Sequence, residues 1–120
     1  MTDEPPLDQR TAVRAAVRTF YDDLPYNYHG GVASSADAVR ENAVAATYPD
    51  LDRLLEASRP ADVVELGCGA GWLSNTMAHA YGARVRAVAL CGRALARARE
   101  VAEQLGVADR VRFAEGDLFR

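Results

Sequence analysis

Residues 63–71, Val-Val-Glu-Leu-Gly-Cys-Gly-Ala-Gly, constrain the fold more than any other stretch of the chain. A β-branched run ends in an acid, and glycines at 67, 69 and 71 then lead into a helical pattern that begins near Trp72. This reads as a strand, a tight glycine turn and a helix N-terminus. With no Cβ in the way, backbone at such a junction can approach a ligand, and the first-turn N–H groups lack intrahelical partners. The pattern repeats downstream. Residues 62–66 form a first strand, and 71–81 a helix with Leu73, Met77 and Ala80 inward, closed by Gly82. Residues 84–90 are a second strand. Residues 93–105 are a helix with Leu95, Ala98, Val101, Ala102 and Leu105 inward, capped by Gly106. Residues 111–114 are a third strand, and Gly116-Asp117 turns after it. Alternating strands and helices predict an α/β fold with a truncated doubly wound parallel sheet of about three strands, its ligand at the carboxyl ends of the strands.

The first sixty residues have a different period. Val13, Val17, Phe20, Tyr21 and Leu24 recur at helical spacing over residues 9–24, with Arg10, Arg14 and Arg18 on another face. Pro25 ends that helix, and residues 25–31 form an aromatic loop with glycine hinges, carrying Tyr26, Tyr28 and His29. Ser34 or Ser35 is expected to cap a second helix over 36–47, lined by Val39, Ala43 and Ala46. Pro49 opens a third helix with Leu51, Leu54 and Leu55, which stops before Pro60. Residues 1–60 are therefore an N-terminal helical cap or lid, and 61–120 a sheet-forming half-domain. At 120 residues the chain has room for a single core.

Spacing narrows the ligand. A dinucleotide fingerprint, Gly-x-Gly-x-x-Gly, would need a third glycine where Trp72 stands, and a phosphate-binding P-loop needs a lysine, which the chain lacks entirely. What fits is Glu-x-Gly-x-Gly-x-Gly from Glu65 to Gly71. This resembles the first motif of class I S-adenosylmethionine (SAM)-dependent methyltransferases, a Rossmann-like family, and the likeness runs over residues 60–120. The resemblance implies SAM as cofactor, with Glu65, Gly67, Cys68, Gly69 and Gly71 around its methionine and ribose part. It also implies that Asp117, in Glu-Gly-Asp-Leu, accepts a hydrogen bond from the adenine amino group. One position departs. The family's second strand ends in an acid that takes both ribose hydroxyls, within Val-Asp-hydrophobic-Ser-Pro, whereas here Val88-Ala89-Leu90-Cys91-Gly92 occupies that stretch in register.

The resemblance covers only the N-terminal, cofactor-binding half of such an enzyme, whose acceptor pocket is built from later strands. The function expected is SAM-dependent methyl transfer to a small-molecule acceptor by a truncated or split enzyme that needs a C-terminal half. A noncatalytic Rossmann-like interaction module that has lost its cofactor is the alternative, and a nucleotide-binding dehydrogenase half suffers from Trp72. In the family's strand order the first strand is central, so here its far edge needs a cover: a partner half, a second copy, or the N-terminal helices. Methyl transfer depends mainly on alignment, with a base where the acceptor must lose a proton, and His29 in the aromatic loop is the candidate.

Composition removes other classes. A formal charge of −3 and a pI near 5.3 leave no electrostatic footprint for nucleic acid or an anionic membrane surface. Cys68 and Cys91 have no Cys-x-x-Cys or histidine spacing, so they are read as free thiols with no metal site. The acidic, proline-containing first ten residues lack the apolar core of a signal peptide, and no stretch is long and apolar enough to span a bilayer, so a cytoplasmic protein is expected.

Overall fold

The computed structural model describes residues 31–117. The element order is α1 (Val32–Glu41), α2 (Val44–Thr47), α3 (Pro49–Ala57), β1 (Asp62–Leu66), α4 (Trp72–Tyr81), β2 (Arg84–Ala89), α5 (Gly92–Leu105) and β3 (Val111–Glu115). The helix expected over 9–24 and the aromatic loop with Tyr26, Tyr28 and His29 lie outside the described residues.

Three parallel strands form one sheet in the order β1-β2-β3. Val63 pairs with Val85 and Leu66 with Val88 on one side of β2, while Val85 pairs with Val111 and Ala89 with Glu115 on the other. Both crossovers step the same way, and right-handed crossovers then place α4 and α5 on one face of the sheet. Period-2 alternation sends Val85, Ala87 and Ala89 of β2 into that face, where they meet Met77, Ala78 and Tyr81 of α4 and Leu95 and Ala102 of α5. Asp62, Arg84, Arg86 and Arg112 line the other face and are exposed, as are Val64 (66%) and Leu66 (65%) of β1. Among the described residues β1 pairs with β2 alone, so it is an edge strand with apolar side chains in water.

Among the described residues, α1, α2 and α3 do not cover that edge. Ala36 and Val39 of α1 instead pack on Val101 of α5, with Trp72 and Leu105 alongside, and the Trp72 indole N–H donates to the Ala38 carbonyl at 3.4 Å. α3 is latched to the end of α4: the Tyr81 hydroxyl donates to Asp52, and the Arg59 guanidinium stacks 5.6 Å from the Tyr81 ring centre while donating to the Ala80 carbonyl at 2.7 Å. The order of layers is therefore sheet, then α4 with α5, then α1.

Two local expectations are corrected. The helix read over 36–47 is broken in two, and Ser34 and Ser35 lie inside α1, whose N-cap is Gly31. Asn42 is the cause of the break. It adopts the left-handed region at φ 47°, which asparagine tolerates, and its Oδ1 accepts the Val44 N–H at 3.4 Å as α2 begins. The second correction concerns α4. Sandwiched between sheet, α5 and α1, it is buried almost all round, so Ser74, Asn75 and Thr76 are fully enclosed while Leu73 and Ala80 are only half-buried. Ser74 bonds Glu65, the Asn75 amide donates to the Ala98 carbonyl at 3.1 Å while its Oδ1 is left without a partner among the described residues, and the Thr76 hydroxyl donates to the Trp72 carbonyl at 2.6 Å. α3 starts at Pro49 as the sequence indicates, and α5 and β3 each differ from expectation by one residue at one end.

Candidate functional site

The three strand ends are tied together by backbone bonds. The N–H groups of Gly67 and Cys68 both donate to the Val88 carbonyl, at 2.7 and 3.0 Å, which joins the glycine turn to β2. The Gly116 N–H donates to the Ala89 carbonyl at 3.0 Å, which joins the end of β3 to β2. The turn, the 89–92 junction and Asp117 therefore share the carboxyl edge of the sheet. Two strand spacings, roughly 10 Å, separate the turn from β3.

All three glycines of the turn have positive φ: 76° at Gly67, 56° at Gly69 and 83° at Gly71. At Gly71 crowding adds to the need for glycine. A Cβ there would stand 2.7 Å from the Ala98 Cβ and 3.1 Å from the Phe113 ring, so Gly71 lets the start of α4 settle against α5 and β3. Gly67 and Gly69 are the residues that face the strand edge with bare backbone.

Glu65 points to the helix side of β1, where its carboxylate receives the Ser74 hydroxyl. Burial pushes the Glu65 carboxyl above the usual carboxylate range, and bonds from the Ser74 hydroxyl and N–H work against that. Glu65 thus holds the first turn of α4 and fixes the exit of the glycine turn. Ser74 carries no motif in the sequence and was not singled out there; its position one turn into the helix after the acid is the signal. Cys68 contributes backbone rather than sulfur chemistry. It is 6% exposed, its Sγ donates to the Gly69 carbonyl at 3.7 Å, and burial, with Glu65 nearby, pushes the thiol up to about 12. Cys91 caps α5, its Sγ accepting the Ala94 N–H at 3.4 Å. Neither thiol is in a disulfide, and both are buried.

Asp117 is half-buried just beyond β3. Ala89 is buried at the end of β2, with its methyl where an acid stands in the Val-Asp-hydrophobic-Ser-Pro pattern. Its register partner across β3 is Glu115, whose carboxylate Oε2 lies 3.0 Å from the position of a Cβ on Gly92. Sequence reading passed over Glu115; counting the parallel register from Val85 opposite Val111 would have placed it beside Ala89. His29 lies outside the described residues. Among the described residues no group of three His, Cys, Asp or Glu side chains is placed to hold a metal, and no helix is long and apolar enough to cross a membrane.

This edge brings together a glycine turn at Gly67 and Gly69, a helix whose first turn is bonded to Glu65 through Ser74, and the carboxylates of Glu115 and Asp117 at the end of β3. Residues 63–120 match the family described as "Methyltransferase domain". No curated protein matches the chain in sequence. Among solved structures, it is similar to YjhP from E. coli at 31% identity, covering 58% of this chain and 29% of that one, with a TM-score of 0.53. It is similar to an RNA methyltransferase from Salinibacter ruber in complex with S-adenosyl-L-homocysteine, at 34% identity over 61% of this chain and 50% of that one, TM-score 0.51. A third likeness is to a SAM-dependent methyltransferase from Geobacter sulfurreducens, also bound to S-adenosyl-L-homocysteine, at 38% identity over 59% and 30% of the two chains, TM-score 0.50. The chain thus spans half or less of the length of these proteins. Its glycine turn, three-stranded parallel sheet and the segment matched over residues 63–120 are those of the class I SAM-dependent methyltransferase family.

Proposed function

We propose that the chain is the cofactor-binding half of a SAM-dependent methyltransferase that acts on a small-molecule acceptor. One observation carries the reading: the Glu65-to-Gly71 turn stands at the carboxyl ends of three parallel strands, stitched through the Val88 and Ala89 carbonyls to the strand that leads to Asp117. When bound, SAM supplies a methyl group on a sulfonium, already activated for transfer. The chain's own work is to bind and orient. Gly67, Cys68 and Gly69 lay bare backbone along the cofactor's methionine and ribose part. Glu65, through Ser74, keeps that backbone fixed, and Asp117 accepts a hydrogen bond from the adenine amino group. His29 is the candidate base for an acceptor that must lose a proton. The small-molecule reading is supported by the charge of −3, which gives no field to draw in a polyanion.

The acceptor pocket and turnover then require a complementary C-terminal half. The place for it is the free edge of β1 and the open face of the sheet beside it, on which Val64 and Leu66 are exposed. Calorimetric titration with S-adenosylhomocysteine tests the cofactor reading. Measurable heat with one site per chain supports it, and no heat at millimolar ligand, from protein shown to be folded, overturns it. The absence of a carboxylate at position 89 favours a second reading, a noncatalytic module that retains the fold without its cofactor. That reading predicts the null titration.

A further inference from the structure

We infer that Glu115, on β3, supplies the ribose-binding carboxylate that position 89 of β2 lacks. The inference rests on the reading that this edge holds SAM. Ala89 and Glu115 are register partners, so their side chains leave the sheet on the same face at adjacent strand ends. Glu115 is exposed, and its side chain leans across β2 toward the start of α5. Its Oε2, Cδ and Oε1 lie 3.0, 3.6 and 3.9 Å from where a Cβ on Gly92 would be. The carboxylate therefore sits over the junction between β2 and α5, the place to which an acid at 89 would deliver its own.

Two departures from the Val-Asp-hydrophobic-Ser-Pro pattern flank this carboxylate. Alanine at 89 leaves out a second negative charge that would repel it, and glycine at 92 leaves out a Cβ that would crowd its Oε2 at 3.0 Å. A carboxylate has two oxygens and about four lone-pair directions, enough to accept both hydroxyls of a ribose diol. The position of the acid has moved by one strand while its place at the sheet edge is kept.

The test is calorimetric titration of the full chain and its variants with S-adenosylhomocysteine and with its 2′,3′-dideoxy analogue, far-UV circular dichroism serving to verify the fold. Glu115→Gln is expected to weaken S-adenosylhomocysteine binding roughly ten- to hundredfold, the range for one or two charge-assisted hydrogen bonds. The dideoxy analogue, which has no diol, should bind the parent and Glu115→Gln alike. Gly92→Ala, whose Cβ would crowd Oε2 at 3.0 Å, should weaken the natural ligand by less than Glu115→Gln does and spare the analogue. Adding Ala89→Asp to Glu115→Gln should restore most of the loss. Unchanged binding by Glu115→Gln overturns the inference alone, as does an equal loss for both ligands, which marks a structural role. A folded parent chain that gives no heat overturns the cofactor reading and this inference with it.

Discussion

Replacing Gly71 by alanine tests the claim that the third glycine of the motif serves packing. Two costs add at this site. An alanine held at φ 83° sits in the left-handed region, which costs about 1–2 kcal/mol for a residue with a Cβ. Its methyl would also stand 2.7 Å from the Ala98 Cβ and 3.1 Å from Phe113. The phenylalanine edge can shift, but the Ala98 Cβ is fixed to the backbone of α5, so the helices must part, an overpacking cost of about 1–3 kcal/mol. Gly82 is the internal control. It has φ 66° and nothing within 4 Å of its Cβ position, so Gly82→Ala carries the left-handed cost alone.

Urea unfolding followed by circular dichroism should therefore give a loss of about 2–5 kcal/mol for Gly71→Ala against about 1–2 for Gly82→Ala. Ala98→Gly removes the atom that Gly71→Ala strikes. Alone it costs about 1–2 kcal/mol, from a glycine inside a helix and a lost buried methyl. Combined with Gly71→Ala it should lose less than the sum of the single changes, by about 1 kcal/mol or more, as expected for sites in contact. Equal losses for Gly71→Ala and Gly82→Ala, or strict additivity with Ala98→Gly, would refute the packing argument.

Three further outcomes follow from the site and its surroundings. Because burial raises the folded-state pKa of Glu65, its contribution to stability is full below the ordinary carboxylate range and declines as pH rises through the folded value. Glu65→Gln should thus gain stability relative to the parent as pH rises from the ordinary carboxylate range, and urea midpoints whose difference stays flat or reverses over that rise would contradict the assignment. With Cys91→Ser, a change that keeps an oxygen acceptor for the Ala94 N–H, the remaining Cys68 should react with a disulfide reagent at pH 8 about a thousandfold more slowly folded than unfolded, since its thiol is pushed up to about 12. Leu66→Lys, at a side chain 65% exposed, should alter stability by no more than about 0.5 kcal/mol while reducing self-association on size-exclusion chromatography; a large loss of stability would mean that the β1 edge is covered.

Strongly periodic elements were legible because burial on one side writes itself into the sequence. Leu95, Ala98, Val101 and Ala102 mark the inner face of α5, and all four are buried. The parallel sheet followed from strands spaced by helices, and its open edge at β1 followed from the family's strand order. α4 was misread for a physical reason: a helix enclosed on three sides has no polar face, and its interior holds Ser74, Asn75 and Thr76 because each finds a hydrogen-bond partner there. The break at Asn42 was missed because alanines on either side carry a helical pattern through it, while one asparagine in the left-handed region decides otherwise. The role of Glu115 was hidden because it depends on register between strands 26 residues apart in sequence, as Ala89 lies opposite it.

The division of labour within the glycine turn changes what the motif can say about function. Gly71 is required by the contact with Ala98, Glu65 by the Ser74 end of α4, and Cys68 by its burial, so each would be kept by a chain that needed only to fold. Folding alone gives no such reason to place carboxylates at the ends of β2 and β3, where one more acid adds charge repulsion without filling the core. The choice between a working cofactor site and a retained scaffold therefore falls on positions 89, 115 and 117. The first has lost its acid, the second places one beside it in register, and the third keeps the acid that the family aims at adenine. A decaying site loses such groups independently. Here the Glu115 carboxylate lies 3.0 Å from where a Cβ on Gly92 would stand and one strand from Ala89 in register, so the titration of Glu115→Gln decides between the two.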